Sequence, residues 1–375
     1  MKIVFTGGGT GGHIFPILAI IREIRKKYPE SKLKVYYIGP DDKYGSTLLS
    51  IEGVKIKKIM AGKIRRYFSF KNIFDLFIKM PIGVIQSFFW LFFIAPDLIF
   101  SKAGHGSFPA TFSAHILGIP IFLHESDATP GLGSRVESKW AQEIFVSFFD
   151  QKAFPKNKII CVGNPTRKEI LGGSKEEAKK TLNLKADKPL ILILGGSQGS
   201  QKINNLILEI LPEFLENFEL IHQTGEKNYR KVEIESKAIL PLEKQKYYHP
   251  FAFLNEKSLK DALAVCELVI SRAGAATIFE IASVGKPAIL IPLEGSAQDH
   301  QLKNAYAFSE KGGGEVVEQK NLRPRFFLEK IKNLFLRKDI LENMAKKSRE
   351  FARLRAAEII ASYLVEYGKV STGEK

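Results

Sequence analysis

Four stretches of this chain combine glycines with side chains that can carry protons or meet anions. Gly7-Gly8-Gly9-Thr10-Gly11-Gly12-His13 follows an apolar run and precedes a helical pattern. Glycines let the backbone approach a ligand closely, and the amides that open a helix favour an anion. Gly7, Gly9 and Gly12 also satisfy the dinucleotide fingerprint, with Asp41 or Asp42 after the second apolar run, although that fingerprint alone specifies little. His13 adds an imidazole, for which a dinucleotide loop has no use. Near neutral pH an imidazole can take a proton from a hydroxyl.

Gly195-Gly196-Ser197-Gln198-Gly199-Ser200 holds the same kind of place in the second half, where its amides and the Ser197 hydroxyl suit a diphosphate. Ser271-Arg272-Ala273-Gly274-Ala275-Ala276-Thr277 follows another apolar run and opens a helix. Glu280, one turn further on, can accept both hydroxyls of a ribose. The fourth stretch, His124-Glu125-Ser126-Asp127 with Pro130-Gly131, supplies an imidazole and two carboxylates just after a strand. No repeated ligand spacing marks a metal site, so neither metal nor other cofactor is expected.

These loops need strands to aim them. Apolar runs at Lys2–Thr6, Leu33–Ile38, Asp97–Phe100, Pro120–Leu123 and Ile144–Val146 read as strands, with helices at Phe15–Lys27, Phe74–Phe93 and Ser107–Leu117 between them. After the turn-rich Gly163-Asn164-Pro165 and the polar stretch Gly172–Lys188 the pattern restarts. Strands are expected at Leu190–Leu194, Leu220–His222, Leu268–Ile270, Ala288–Ile291 and Glu315–Val317. Helices are expected at Gln201–Glu216, Ser258–Val265, Ala275–Val284, His300–Lys311 and, last, Ile340 to about Tyr367. Strand, loop and helix in alternation imply parallel sheets covered on both faces. The expected class is α/β, with two tandem Rossmann-like domains over residues 1–164 and 165–344 and a ligand in the cleft between them.

Composition narrows the class of partner. The 375 residues are 45% hydrophobic and 26% charged, which excludes collagen, coiled coil and wholesale disorder. Cys161 and Cys266 cannot form a disulfide framework or a cysteine-based zinc site, and among apolar neighbours they read as buried thiols of a cytosolic protein. Lys+Arg 56 against Asp+Glu 40 gives +16, a field that draws nucleic acid, anionic lipid or phosphorylated small molecules. No RNA-binding signature accompanies it, so nucleic acid is not expected. Met1–Thr6 is too short for a signal core. Met80–Pro96 is the most apolar window, but spanning a bilayer takes about 20 apolar residues. This run holds Pro81, Gly83, Gln86 and Ser87 and ends at Asp97, so a transmembrane helix is not expected.

Taken in order, Gly8-Gly9-Thr10-Gly11-Gly12-His13, His124-Glu125, Gly163-Asn164-Pro165-Thr166-Arg167, Gly195-Gly196-Ser197-Gln198-Gly199, Ser271-Arg272-Ala273-Gly274-Ala275 and His300-Gln301 with Asn304-Ala305 resemble the motifs of the MurG-type transferases. That family moves N-acetylglucosamine (GlcNAc) from UDP-GlcNAc to undecaprenyl-pyrophosphoryl-MurNAc-pentapeptide, lipid I to lipid II, in peptidoglycan synthesis and cell wall biogenesis. The resemblance implies the GT-B glycosyltransferase architecture, with a final helix over about 345–368 packing back on the first domain. It implies donor contacts from Arg167, Ser197, Gln198, Leu254, Arg272, Ala275, Ala276, Thr277, Glu280, His300, Gln301 and Asn304, with Glu280 on the ribose. Thr10, Gly11, Gly12 and Asp127 would line the substrate site, His13 would be the general base and Glu125 its partner.

The pattern departs from the family at Ser126, Asp127 and Ser134, where the family carries Gln, Asn and Asn. Asp127 can accept but not donate a hydrogen bond unless protonated. Lys102-Ala103-Gly104-His105-Gly106-Ser107 matches the family's second glycine loop only loosely. Alternatives are another UDP-sugar-dependent glycosyltransferase acting on a lipid acceptor, a UDP-GlcNAc epimerase of the same fold, and a non-catalytic UDP-sugar-binding protein. A polyprenyl acceptor stays in the bilayer, so peripheral docking on the cytoplasmic face of an anionic membrane is expected. Ile73, Phe74, Phe77, Ile78 and Trp90 with Lys63, Arg65, Arg66, Lys71 and Lys79 would carry it, while Phe88–Ile94 would fill the first domain's core.

Overall fold

The computed structural model describes residues 1–8, 11–62, 73–149, 151–196 and 198–373. The chain forms two compact units, Met1–Thr166 with Leu354–Lys375, and Arg167–Arg353.

The first unit is a parallel sheet of seven strands: β1 Lys2–Thr6, β2 Lys34–Gly39, β3 Lys55–Lys58, β4 Leu98–Ser101, β5 Ile121–Glu125, β6 Glu143–Val146 and β7 Ile159–Cys161. Their spatial order is β3-β2-β1-β4-β5-β6-β7. Val4 is in register with Tyr36 on one side and Ile99 on the other. Ile3, Val4 and Phe5 are all buried, because helices cover both faces of the sheet. Those helices are α1 Gly11–Lys27, α2 Lys43–Ile51, α3 Met80–Ile94, α4 Phe108–Ile116 and α5 Leu132–Glu137.

The second unit repeats the plan with β8 Leu190–Leu194, β9 Glu219–Gln223, β10 Tyr248–Phe251, β11 Leu268–Ser271, β12 Ala288–Leu290 and β13 Gly314–Val316, ordered β10-β9-β8-β11-β12-β13. Its helices include α6 Lys175–Thr181, α7 Gln201–Asn217, α8 Glu226–Ile239, α9 Leu242–Gln245, α10 Glu256–Val265, α11 Ala275–Ser283, α12 His300–Ser309, α13 Pro324–Leu336 and α14 Lys338–Phe351. In each sheet the strand order reverses beside its first strand, between β1 and β4 and between β8 and β11. Ligands of open α/β sheets bind beyond the carboxyl ends of the strands at this switch point.

Several expectations need correction. The helix expected from Ile340 to Tyr367 is two helices, α14 and α15 Ala356–Thr372, separated where Ala352 turns extended at ψ 139°. The break lets the chain leave one unit for the other. α15 lies on the first unit's core, where Ile360, Ala361 and Leu364 are buried and Tyr363 and Tyr367 meet the Phe122 ring edge-on. Phe88–Ile94 does not fill the core as a block. α3 buries only the stripe Gly83, Ser87, Leu91 and Ile94, leaving Phe89 at 56%, Phe92 at 61% and Phe93 at 75% exposure. Gly83 permits the close seat, since a Cβ there would fall 1.9 Å from the Met60 carbonyl oxygen. With its leading π-helical turn Asp75–Lys79, this helix runs 20 residues and has the length and composition of a membrane span, a test that a core helix of a soluble protein also passes.

Candidate active site

In the first unit β1 and β4 release their loops side by side. The His13 ring, half-buried at the start of α1, packs on both: a Cβ on Gly8 would lie 3.0 Å from its Cε1, and one on Gly104 would lie 3.0 Å from its Nε2. Gly104 sits at φ +101°, a conformation few other residues adopt. Desolvation, then the Lys102 charge, pulls the His13 pKa from 6.5 to about 3, with Asp127 opposing and His105 adding to the fall. The ring is therefore neutral across the physiological range. Asp127, rather than the expected Glu125, is the carboxylate whose charge acts on it.

Glu125 ends β5 and binds its own loop. One oxygen accepts the Asp127 amide at 2.9 Å and the other accepts the Ser134 hydroxyl. Burial, then the Asp127 charge, raises its pKa. Ser134 thus stands where the family has Asn and serves as a brace. His124 is fully buried, neutral through desolvation, and its Nε2 donates to the Gly163 carbonyl at 3.0 Å. Its role is to tie β5 to the loop after β7. Lys102, missed by the sequence reading, is buried directly after β4 and donates to Ser126. Desolvation lowers its pKa to about 8, against the pull of Glu125 and Asp127. A cation at the end of the strand beside β1 was a signal, but it became one only once the strand order was known. The acidic residues available to a dinucleotide are used locally: Asp42 caps α2 through the Gly45 amide, and Asp41 pairs with Lys58 at 2.8 Å.

In the second unit the loops after β8 and β11 adjoin. Gly196 and Gly199 take φ +87° and +75°, and a Cβ on Gly199 would fall 2.1 Å from the Thr224 carbonyl oxygen. Ala275, Ala276 and Thr277 form the first turn of α11, whose cap, Gly274, offers no side chain. A Cβ at Gly274 would meet nothing within 4 Å, so the cap is uncrowded, and amides at a helix start suit a phosphate. Glu280 follows one turn later. Its Oε1 accepts from Arg167 Nε at 3.0 Å and Nη2 at 2.7 Å, and Arg167 Nη1 lies 3.5 Å from Glu256.

The side chains expected to touch a donor are in large part braces. Arg167 holds Glu280. Arg272 Nη1 donates to the Ile291 and Pro292 carbonyls at 3.1 and 3.2 Å, and its Nη2 donates to Ser200 at 2.6 Å and Gln319 at 2.8 Å, so only Nε is left to point elsewhere. Gln301 accepts the Leu293 amide at 2.9 Å, and Asn304 donates to the Ala273 carbonyl at 3.2 Å. The Leu254 amide donates to Gln223, whose side-chain amide donates in turn to Gly196 at 3.1 Å, coupling two loops. Gln198 is exposed, and His300 opens α12 behind Gln298 and Asp299, both left-handed at φ +53°. Thr10, Ser197, Lys63, Arg65, Arg66 and Lys71 lie outside the described residues. Among the described residues, no cluster of three His, Cys, Asp or Glu side chains could hold a metal ion.

Residues 3–146 match the glycosyltransferase family 28 N-terminal domain and residues 190–360 its C-terminal domain. With a glycine loop and a helix start at each switch point, the two sheets define a glycosyltransferase of the GT-B architecture. The chain is 36% identical to the UDP-N-acetylglucosamine–N-acetylmuramyl-(pentapeptide) pyrophosphoryl-undecaprenol N-acetylglucosamine transferase of Treponema denticola, over 97% of each chain. It is likewise 36% identical to a Bacillus cereus transferase of that name, over 92% of this chain and 95% of the other. The chain belongs to this MurG-type family of UDP-GlcNAc-dependent hexosyltransferases. Acinetobacter baumannii MurG has the same fold, with TM-score 0.72 and 23% identity over 97% of this chain and 99% of that one. A Neisseria meningitidis UDP-GlcNAc 2-epimerase, at TM-score 0.67 and 17% identity over 98% and 100%, shares the fold alone.

Proposed function

We propose that the chain transfers GlcNAc from UDP-GlcNAc to the MurNAc 4-hydroxyl of undecaprenyl-pyrophosphoryl-MurNAc-pentapeptide, with inversion at the anomeric carbon. The observation that carries this is the 36% identity over 97% of both chains to a relative named for that reaction. UDP is held by the second unit: diphosphate at the Gly195–Ser200 loop and the first turn of α11, ribose on the Glu280 oxygen that Arg167 leaves open. Arg272 acts through the loops it ties, and its charge favours the anionic leaving group. The acceptor is handled by the first unit. The MurNAc oxygen bonds to the anomeric carbon, its proton passes to His13, and UDP leaves with the electron pair of the broken C–O bond. His13 is neutral near pH 7, held so by desolvation first and the Lys102 charge second, and a bound diphosphate offsets that charge.

Docking on an anionic membrane surface at the cytoplasmic face follows from the acceptor's lipid. It is supported by the exposed aromatic face of α3 and by cations beside it. Lys57 Nζ lies 4.1 Å from the Trp90 ring centre, on a strand that also carries Lys55 and Lys58. Lys79 belongs less to this set, because it pairs with buried Asp75 at 2.8 Å. An epimerase is the second reading, on the shared fold. Incubation with labelled UDP-GlcNAc and the lipid acceptor in vesicles separates them. Label on the lipid together with free UDP is the expected product; label retained in an epimerised nucleotide sugar without lipid product would overturn the proposal.

A further inference from the structure

We infer that Glu137 is a positioning residue whose proton sets the shape of the Lys102–Ser107 loop against His13, giving the reaction a pH dependence separate from that of the base. Glu137 is fully buried at the end of α5 and grips both ends of this loop at once: Ser101 Oγ donates to Oε2 at 2.5 Å and Ser107 Oγ donates to Oε1 at 2.6 Å. The first grip extends inward, since the Ala103 amide donates to Ser101 Oγ at 3.0 Å. Between the grips the loop runs through two left-handed residues, Ala103 at φ +57° and Gly104 at φ +101°, and it is Gly104 that abuts His13 Nε2. Ala103 holds a conformation that costs a non-glycine residue free energy, so something must over-determine it.

The wiring has two settings. With Glu137 ionised, both hydroxyls donate to it in short, charge-assisted bonds. With Glu137 protonated, its own O–H must donate, Ser107 Oγ becomes the acceptor, and the Ser107 hydrogen is free for the Gly104 carbonyl, which is 2.9 Å away. One proton therefore changes which atom holds Gly104. Burial pushes the Glu137 pKa from 4.5 to about 7, where both settings are populated near neutrality. The groups that act on it are the Ser101 and Ser107 hydroxyls, the Thr111 hydroxyl on α4 and Glu125 on β5, whose charge adds to the rise; Lys102, His105 and Asp127 act in turn on His13. Arg135, on the same helix, faces solvent.

The ionised setting clamps the loop at both ends and is the active one. The kinetic arm of the test rests on the transferase reading, while the spectroscopic arm does not. In the wild type kcat should fall as pH drops through about 7, with KM for UDP-GlcNAc unmoved. Glu137→Gln, which copies the neutral form, should lower kcat about 10-fold or more and remove that limb; Glu137→Asp should keep a limb. Infrared difference spectra should show a carboxylic C=O band growing in over the same pH range in the wild type and missing from Glu137→Gln. A limb or band that persists in Glu137→Gln, or a wild type without the band, would sink the assignment whatever reaction is catalysed. Ser107→Ala, which deletes only the switchable hydroxyl, should displace the limb, and an unmoved limb in a folded variant counts against the proposal. A wild type with the titrating band but no lipid product would overturn the transferase reading and leave the clamp standing.

Discussion

Among individual side chains, those on the two sites divide into groups that face a ligand and groups that hold those groups still. Glu280 faces the ribose in our reading, so Glu280→Ala should weaken UDP binding by about 1–3 kcal/mol, measured by calorimetry on a folded variant. Unchanged affinity would return Glu280 to a purely structural pairing with Arg167. His13→Ala should lower kcat by about 10²–10⁴-fold with UDP affinity unchanged. Near-normal turnover at saturating substrate would make the ring a spacer between two glycine loops. For Glu137 the stability linkage has an unusual sign. Its folded pKa of about 7 lies above its ordinary 4.5, so the native state binds the proton more tightly than the unfolded chain. The Glu137 contribution to stability is then fully present below about pH 4.5 and is lost as pH rises between those values, by on the order of 3 kcal/mol. Urea titrations of the protein at a series of pH values should show this slope as the difference between the wild type and Glu137→Gln. The glycine loops were legible in the sequence; how the side chains around them divide was not. Whether Arg272 reaches a ligand or four protein acceptors depends on strand order, which no local pattern carries.

At the level of elements, the sequence was clearest where burial is greatest. Central strands such as β1, with Ile3-Val4-Phe5 at its heart, and β8, apolar throughout, were legible to the residue. The strands that escaped notice, β3, β7 and β10, all lie at sheet edges. β3 reads Lys-Ile-Lys-Lys, and its lysines guard an open edge; β10 carries Pro250, which an edge strand tolerates. Helix α8 was missed for a related reason: polar residues dominate it, and its apolar stripe is narrow. α3 shows the opposite failure. It is apolar all round, so nothing in the sequence revealed which face is covered, and only Gly83 and Ser87 mark the stripe that packs. Its open face should bind anionic vesicles, more weakly as salt rises. Replacing Phe89 and Phe93 together by Ser should weaken flotation with such vesicles about 10-fold or more, since each phenylalanine contributes about 1.5–3 kcal/mol when buried. Equal binding by the variant would mean that this face does not dock.

For the molecule as a whole, the +16 charge and the two Rossmann-like units were apparent from the chain, whereas the break at Ala352 was not, because the pattern runs helical on both sides of it. The last helix completes the first unit. Ile360, Ala361 and Leu364 share a core with Ile17, Ile20 and Ile21 of α1, and Tyr363 donates to Glu143 at 3.0 Å on β6. A polypeptide made from its amino end therefore produces nearly all of this unit early and its closing piece only after Arg167–Arg353 has been synthesised. Through that interval the apolar flank of α1 stays wet, and the ribosome carries an unfinished layer while the other unit gains everything it needs from one continuous segment. Protease challenge of chains arrested at successive lengths should find Arg167–Arg353 resistant before Met1–Thr166, reversing the order in which they were made. The half of the protein begun first is the half finished last, and chaperone demand should concentrate there.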